Sequence, residues 1–153
     1  MQVSQILTRD VETIRPDTTV KEAAQRMRSA DIGSLPVCDG RRLLGMVTDR
    51  DITIRITAEG RDAAITPVME AMTPDVTFVF EDQDVKEAAR IMQERQIRRL
   101  PVVSRDKQLV GILAIGDLAV TGDDRTTGDT LQRISEPSHG NAEAMGQMRQ
   151  PHA

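Results

Sequence analysis

Apolar and polar positions follow two periods along this chain, and the same succession of periods runs twice. Val20, Ala23, Ala24 and Met27 fall at i, i+3, i+4 and i+7, the stripe of a helix with one buried face. Val85, Ala88, Ala89 and Met92 repeat that stripe, and alanine within it predicts close approach to a neighbouring element. A short apolar run precedes each stripe, at residues 11–14 and 76–80, and both read as strands. Two further runs follow the first stripe, residues 35–38 and 43–48, flanking Asp39-Gly40, a strong hairpin signal. Their counterparts, residues 100–103 and 109–114, flank residues 104–108. A second helix is predicted from Asp49 to about Gly60, where glycine suits a helix C-terminus. Its counterpart from Ile115 is shorter and ends before Gly122.

The duplication is explicit in the residues. Val20-Lys21-Glu22-Ala23-Ala24 recurs as Val85-Lys86-Glu87-Ala88-Ala89 (85 − 20 = 65), and Leu35-Pro36-Val37 recurs as Leu100-Pro101-Val102 (100 − 35 = 65). Asp51 recurs as Asp117 (117 − 51 = 66), so the second copy carries one inserted residue. Both stripes open on a capping-box pattern, Thr19 with Glu22 and Asp84 with Glu87. Between the copies, Thr66-Pro67 reads as an N-cap followed by proline, opening a short helix over residues 67–72. The organisation is then repeat one at 1–62, repeat two at 63–122 and a largely flexible tail at 123–153, with one helical piece at 126–134. Two β-α-β-β-α units can each cover a bare sheet face only by sharing an interface. The fold class is therefore α/β of the mixed α+β kind, with pseudo-two-fold symmetry and equivalent loops facing across a cleft.

Composition narrows the function. Aromatic residues are 1% of the chain, so the core is aliphatic and base-stacking platforms for nucleic acid are almost absent. A net charge of −4 adds no attraction to nucleic acid or anionic membrane. No apolar run reaches the roughly 20 residues of a membrane span, and residues 1–10 lack a signal-peptide pattern, so a cytoplasmic protein is expected. His139 and His152 both lie in the tail, which leaves the folded part without a Ser-His-Asp or Cys-His arrangement. No spaced Cys/His cluster suggests zinc, and no dedicated metal site is expected. Catalysis is not expected. Cys38, the only cysteine, reads as a buried apolar residue, with a disulfide between copies as the alternative.

One stretch carries candidate chemistry: Gly45-Met46-Val47-Thr48-Asp49-Arg50-Asp51, a strand end running into a helix start. Thr48 and Asp51, at i and i+3, share one side of that first turn. A carboxylate can accept two hydroxyl hydrogens and a helix start favours an anion, but the same spacing is also a capping box. In the second copy, Ala114 removes the hydroxyl while Asp117 remains, which fits ligand binding better than a plain cap.

These linked motifs resemble the cystathionine β-synthase (CBS) domain pair, or Bateman module, over about residues 3–120. The resemblance implies a stand-alone regulatory or sensor module, not an enzyme. It would bind an adenine nucleotide (AMP, ADP or ATP) or a related adenosyl compound in the inter-repeat cleft, with no tightly bound cofactor. It implies that Asp51 holds the ribose hydroxyls and Thr48 the α-phosphate, with Arg98 and Arg99 reaching that phosphate from the other repeat. Val11, Thr13, Pro36 and Val37 would form the adenine pocket, with Asp10 beside it at the start of that strand. A second, weaker site would use Asp117, Val76, Phe78, Pro101 and Val102, with no arginine and with Phe78 stacking on a base or, more in keeping with its position, plugging the pocket or packing in the core. Asp49 and Asp51 could touch magnesium carried by ATP. The family further implies a homodimer through the helices and an unknown protein partner. The alternative is a dimeric interaction protein whose ligand sites have degenerated.

Overall fold

Local chemistry at residues 19 and 84 sets where the two principal helices begin. The computed structural model of the chain describes residues 1–121 and 124–136; of the tail expected at 123–153, residues 124–135 form a helix and those beyond 136 lie outside the described residues. In α1 (Val20–Ala30) Thr19 Oγ1 accepts the Glu22 N–H at 3.2 Å. In α3 (Val85–Arg95) Asp84 Oδ1 accepts the Lys86 N–H at 2.8 Å. Neither acid completes the predicted capping box: Glu22 is bonded by Arg26 and Glu87 by Arg90. A guanidinium is the stronger donor to a carboxylate than a neutral backbone N–H. Ala88, Ala89 and Met92 are buried on α3, whereas Ala24 of the α1 stripe is exposed. The difference follows from α4 (Asp124–Ser135), which lies on α3 with Gln93 donating to Thr130 Oγ1 at 2.9 Å.

The predicted hairpins are present as β1 (Ser34–Asp39) with β2 (Arg42–Thr48) and β5 (Arg99–Val103) with β6 (Leu109–Ala114). Gly40 turns the first at φ 60. Both ladders shift register at the same place, Val37/Cys38 and Val102/Val103. The strands expected ahead of the helices are shorter than their apolar runs. Residues 11–14 supply only a bridge from Ile14 to Val37, and the Thr13 carbonyl accepts from the Arg26 guanidinium at 2.8 Å. Residues 76–80 supply only β4 (Val79–Phe80), parallel to β5.

Three helical expectations change. The helix from Asp49 is α2 (Asp49–Asp51) continuing as a π-helix over Ile52–Thr57, and its counterpart is a 3₁₀-helix over Ile115–Thr121. The short helix expected at 67–72 is a 3₁₀ turn at Val68–Glu70. Thr66 does not cap it, since its hydroxyl donates to Asp62 O at 2.7 Å.

Each sheet is completed by a segment belonging to the other repeat. β3 (Thr73–Pro74), the lead-in to repeat two, pairs with β2 of repeat one through Met46–Thr73 and Gly45–Pro74. Thr8, the lead-in to repeat one, exchanges two hydrogen bonds of 2.9 Å with Ile112 of β6. The cores are exchanged likewise. Val3 packs with Val79, Val85 and Leu100, and Val68 packs with Ile14, Val20 and Leu35, all of them buried. Two interlocked aliphatic cores result, neither confined to a single repeat.

Glycine permits the exchange. A Cβ on Gly45 would stand 2.4 Å from Thr73 O, and one on Gly111 would stand 2.2 Å from Thr8 O. Gly45→Ala and Gly111→Ala should each cost about 1–3 kcal/mol through overpacking. That corresponds to a melting temperature roughly 2–12 °C lower by scanning calorimetry. Gly128→Ala, within α4 and with nothing within 4 Å, should leave it unchanged or raise it. Equal effects at all three positions would refute the close-approach account.

Cys38 is 3% exposed, and burial pushes its thiol up to about 11. Alkylation at pH 8 should therefore run on the order of 10²-fold slower in the folded protein than in denaturant. Comparable rates in the two conditions would contradict the burial, and a dimer band on non-reducing gels would revive the intermolecular disulfide.

Candidate functional site

The repeat fixes the cleft, because residues related by the duplication line facing walls. The smaller cavity, about 400 Å³, is lined by Asp10, Val11, Ile32, Ser34, Pro36 and Met46, with Arg99, Ile112 and Ala114 from repeat two. The larger, about 1050 Å³, has Asp75, Val76, Ile97, Arg99 and Pro101 on its repeat-two wall, the partners of Asp10, Val11, Ile32, Ser34 and Pro36. Its lining also includes the duplicated pairs Gly33 and Arg98, Thr48 and Ala114, and Arg50 and Gly116. Ser34, Met46, Arg99 and Ala114 line both cavities, so the two halves meet at a common centre.

Asp51 and Asp117 stand at the helix starts and act there as caps. Thr48 N–H donates to Asp51 Oδ2 at 2.9 Å, and Asp51 N–H donates to Thr48 Oγ1 at 3.1 Å. Ala114 N–H donates to Asp117 Oδ2 at 2.8 Å, so Asp117 still serves half of a capping box without a hydroxyl partner. The sequence argument that took a lone Asp117 as a ligand signal is thereby weakened: backbone capping accounts for it. In both carboxylates the cap uses Oδ2, which leaves Oδ1 to meet another donor. Neither Asp51 nor Asp117 lines either cavity wall; Thr48, Asp49 and Arg50 do.

The remaining candidates divide by strand alternation. Pro36 and Pro101 face the cavities, while Val37 and Val102, one residue further, point into the cores at 0% exposure. Val37 and Val102 are corrected from cavity wall to core. Asp10, Val11 and Val76 line the cleft as expected. Thr13 lines a separate cavity of about 220 Å³ near the hairpin tips, with Cys38, Gly40 and Arg41. Phe78 neither plugs the cleft nor joins the core. Its ring meets Phe80 edge-on at 5.4 Å, and Arg105 covers Phe80 at 4.2 Å. Arg105 also grips both oxygens of Asp82 at 2.8 and 2.9 Å, holding that carboxyl below the usual carboxylate range.

Arg98 and Arg99 were assigned to the Thr48/Asp51 side alone. The structure places Arg99 on both cavities and Arg98 on the central one, so each half has a guanidinium within reach. Both are exposed, and among the described residues neither is held in an ion pair or side-chain hydrogen bond. The sequence reading missed Ile32, Met46, Asp75 and Ile97. Extending the 65-residue offset beyond the motifs would have paired Asp10 with Asp75 and Ile32 with Ile97. Asp75 is further marked by a left-handed backbone, φ 51. Among the described residues no group of three or more His, Cys, Asp or Glu could hold a metal ion, and no helix is long and apolar enough to cross a membrane.

The family model described as the CBS domain matches residues 3–57 and 68–121. CBS domain-containing protein YhcV of Bacillus subtilis (strain 168) is 41% identical over 134 residues, 87% of this chain and 94% of that protein. Hypoxic response protein 1 of Mycobacterium tuberculosis (strain ATCC 25618 / H37Rv) is 39% identical over 115 residues, 74% of this chain and 80% of that one. The crystal structure of CBSX2 in complex with AMP superimposes with a TM-score of 0.70 at 28% identity, covering 81% of this chain and 97% of that one. Duplicated motifs, duplicated architecture and both matched segments agree: the chain belongs to the CBS domain family, as a tandem pair.

Proposed function

We propose that the pair is a regulatory module that binds an adenine nucleotide in the inter-repeat cleft and passes its occupancy to a protein partner. The observation that carries this reading is the shared centre: Arg98 and Arg99, free of carboxylate partners among the described residues, beside cavities with apolar walls. Guanidinium groups bind phosphate through charge-assisted bonds, and an apolar wall suits a base. In support, a structural relative is an AMP complex, as reported above. In the proposed arrangement the base lies against Val11, Pro36 and Met46, the phosphate meets Arg99 and Arg98, and Thr48 adds a hydroxyl. Asp51 Oδ1 takes ribose hydroxyls while Oδ2 keeps its cap. The output is a conformational or oligomeric change, with copies associating through the helices in the cytoplasm. Such a change is limited to the ligand's differential affinity for the two states.

Two nucleotides would direct both phosphates to the same arginines, so binding near one per chain is expected by calorimetric titration with AMP, ADP and ATP. Two equal, independent sites would contradict the shared centre. Arg99→Ala should weaken AMP binding about 10- to 150-fold, the loss of one charge-assisted bond of roughly 1.5–3 kcal/mol. Asp51→Ala should abolish binding, and Asp51→Asn separates ligand from cap, since the amide oxygen can still accept the Thr48 N–H. Normal AMP affinity in Asp51→Asn would remove the carboxylate from the site.

A second reading, an interaction protein with degenerate ligand sites, is favoured by one observation: both aspartates are already engaged as caps. A thermal-shift screen separates the two readings, because a ligand specific to the native state must raise the melting temperature. No shift with any adenine nucleotide or adenosyl compound would favour degeneracy.

A further inference from the structure

The π-helix after Asp51 is unmatched in the other repeat. Its five-residue hydrogen bonds include Ala58 N–H to Thr53 O at 2.9 Å, and a left-handed Gly60 then ends the element, with Gly60 N–H donating to Thr57 O at 3.1 Å and Arg61 N–H to Ile56 O at 3.0 Å. π-helical turns are rare and concentrate at functional sites. Arg55 projects from this element to the lead-in of repeat two. Its Nη1 donates to the carbonyls of Ala71 at 3.2 Å and Met72 at 2.7 Å, and Nη2 stands 3.5 Å from Thr73 Oγ1. That lead-in has two duties. As β3 it closes the repeat-one sheet, and Thr73, Asp75 and Val76 then line the larger cavity.

From this juxtaposition we infer that Arg55 is a positioning residue that couples occupancy beside Thr48 and Asp51 to the opposite wall of the cleft. The inference rests on the nucleotide reading above. A ligand hydroxyl arriving at Asp51 alters the cap that fixes how the helix begins. A helix held in π register has an available neighbouring state, the α register, and the change between them rotates Arg55 about the helix axis. Arg55 must then drag or release the Ala71 and Met72 carbonyls, and with them the segment bearing Asp75. The element thus has two arrangements that both walls can bias, as physical coupling requires. The position matching Arg55 in repeat two is Thr121 (121 − 55 = 66), which has no guanidinium, so the duplication supplies the link on one side only.

Hydrogen exchange read by mass spectrometry on the full chain, with and without AMP, tests the link in wild type, Arg55→Ala and Arg55→Lys. Titration calorimetry is run in parallel. In wild type, AMP should change exchange across residues 72–77 about fivefold or more, the lower bound of ordinary coupling. Arg55→Ala should raise exchange there without ligand and erase the AMP response, while AMP affinity stays within about threefold. Arg55→Lys, which keeps a charged donor, should recover part of the response. A purely structural arginine would alter the ligand-free exchange but leave the AMP response intact, and that result overturns the coupling. Unchanged exchange at 72–77 in Arg55→Ala also overturns it. Absence of AMP binding to wild type in calorimetry sinks the nucleotide reading and this inference together, and is distinguishable from the other outcomes.

Discussion

The structure depends on one backbone exchange made twice: Thr8 with Ile112, and Thr73 with Met46. Each lead-in adds to the hairpin of the other repeat and delivers a valine, Val3 or Val68, into that repeat's core. An edge strand left open would present unpaired N–H and C=O groups to any other chain. The exchange closes one edge of each hairpin from within. It also explains why a sequence with almost no aromatic residues holds two small cores: neither needs to stand alone. The cleft follows from the same constraint, because crossing lead-ins place duplicated walls opposite each other.

The duplication and its elements were legible because helix and hairpin signals are local. Stripe spacing, Asp39-Gly40 and the repeated Leu-Pro-Val needed no knowledge of the partner repeat. The exchanged segments were not legible, since a two-residue strand such as Thr73–Pro74 carries no periodicity. Only Gly45 and Gly111 hinted at it, as side-chain-free positions inside apolar runs. The capping boxes failed for an electrostatic reason that lay in plain sight: Arg26 and Arg90, four and three residues after Glu22 and Glu87, outcompete the helix N-termini for those acids. The site was half legible. Pro36 and Pro101 line the cavities, and naming Val37 and Val102 beside them treated a strand segment as if every side chain faced one way.

The two repeats share a backbone plan and differ where side chains meet the cleft. Ser34 is replaced by Arg99, Gly33 by Arg98 and Thr48 by Ala114. A symmetric pair with arginine at all four positions would bring four cations to one axis, six repelling pairs, with the wall carboxylates of Asp10, Asp49 and Asp75 as counter-charge. Placing both on repeat two leaves a single repelling pair and keeps Gly33, without side-chain bulk, on the same cavity. A Cβ at Gly33 would already stand 3.2 Å from Asp49 Oδ2. Asymmetry here is therefore what lets one cationic centre serve a cleft with two walls.

The same reasoning bears on how a cap can also be a ligand group. Asp51 is committed through Oδ2 to the Thr48 N–H, and that bond orients the carboxylate before any ligand arrives. A carboxylate fixed in this way loses less side-chain entropy on meeting a hydroxyl than one free to rotate. On the proposed reading, capping and binding would use two different oxygens of one group. Asp117 keeps the orienting bond from Ala114 N–H but lacks the adjacent hydroxyl, so its helix start is anchored by one hydrogen bond where Asp51 has two. The wall that begins with the doubly tied cap is also the wall whose helix widens to the π register and carries Arg55. A first turn fixed by two hydrogen bonds is followed by one in π register, which places that register next to the carboxylate, with Arg55 within it.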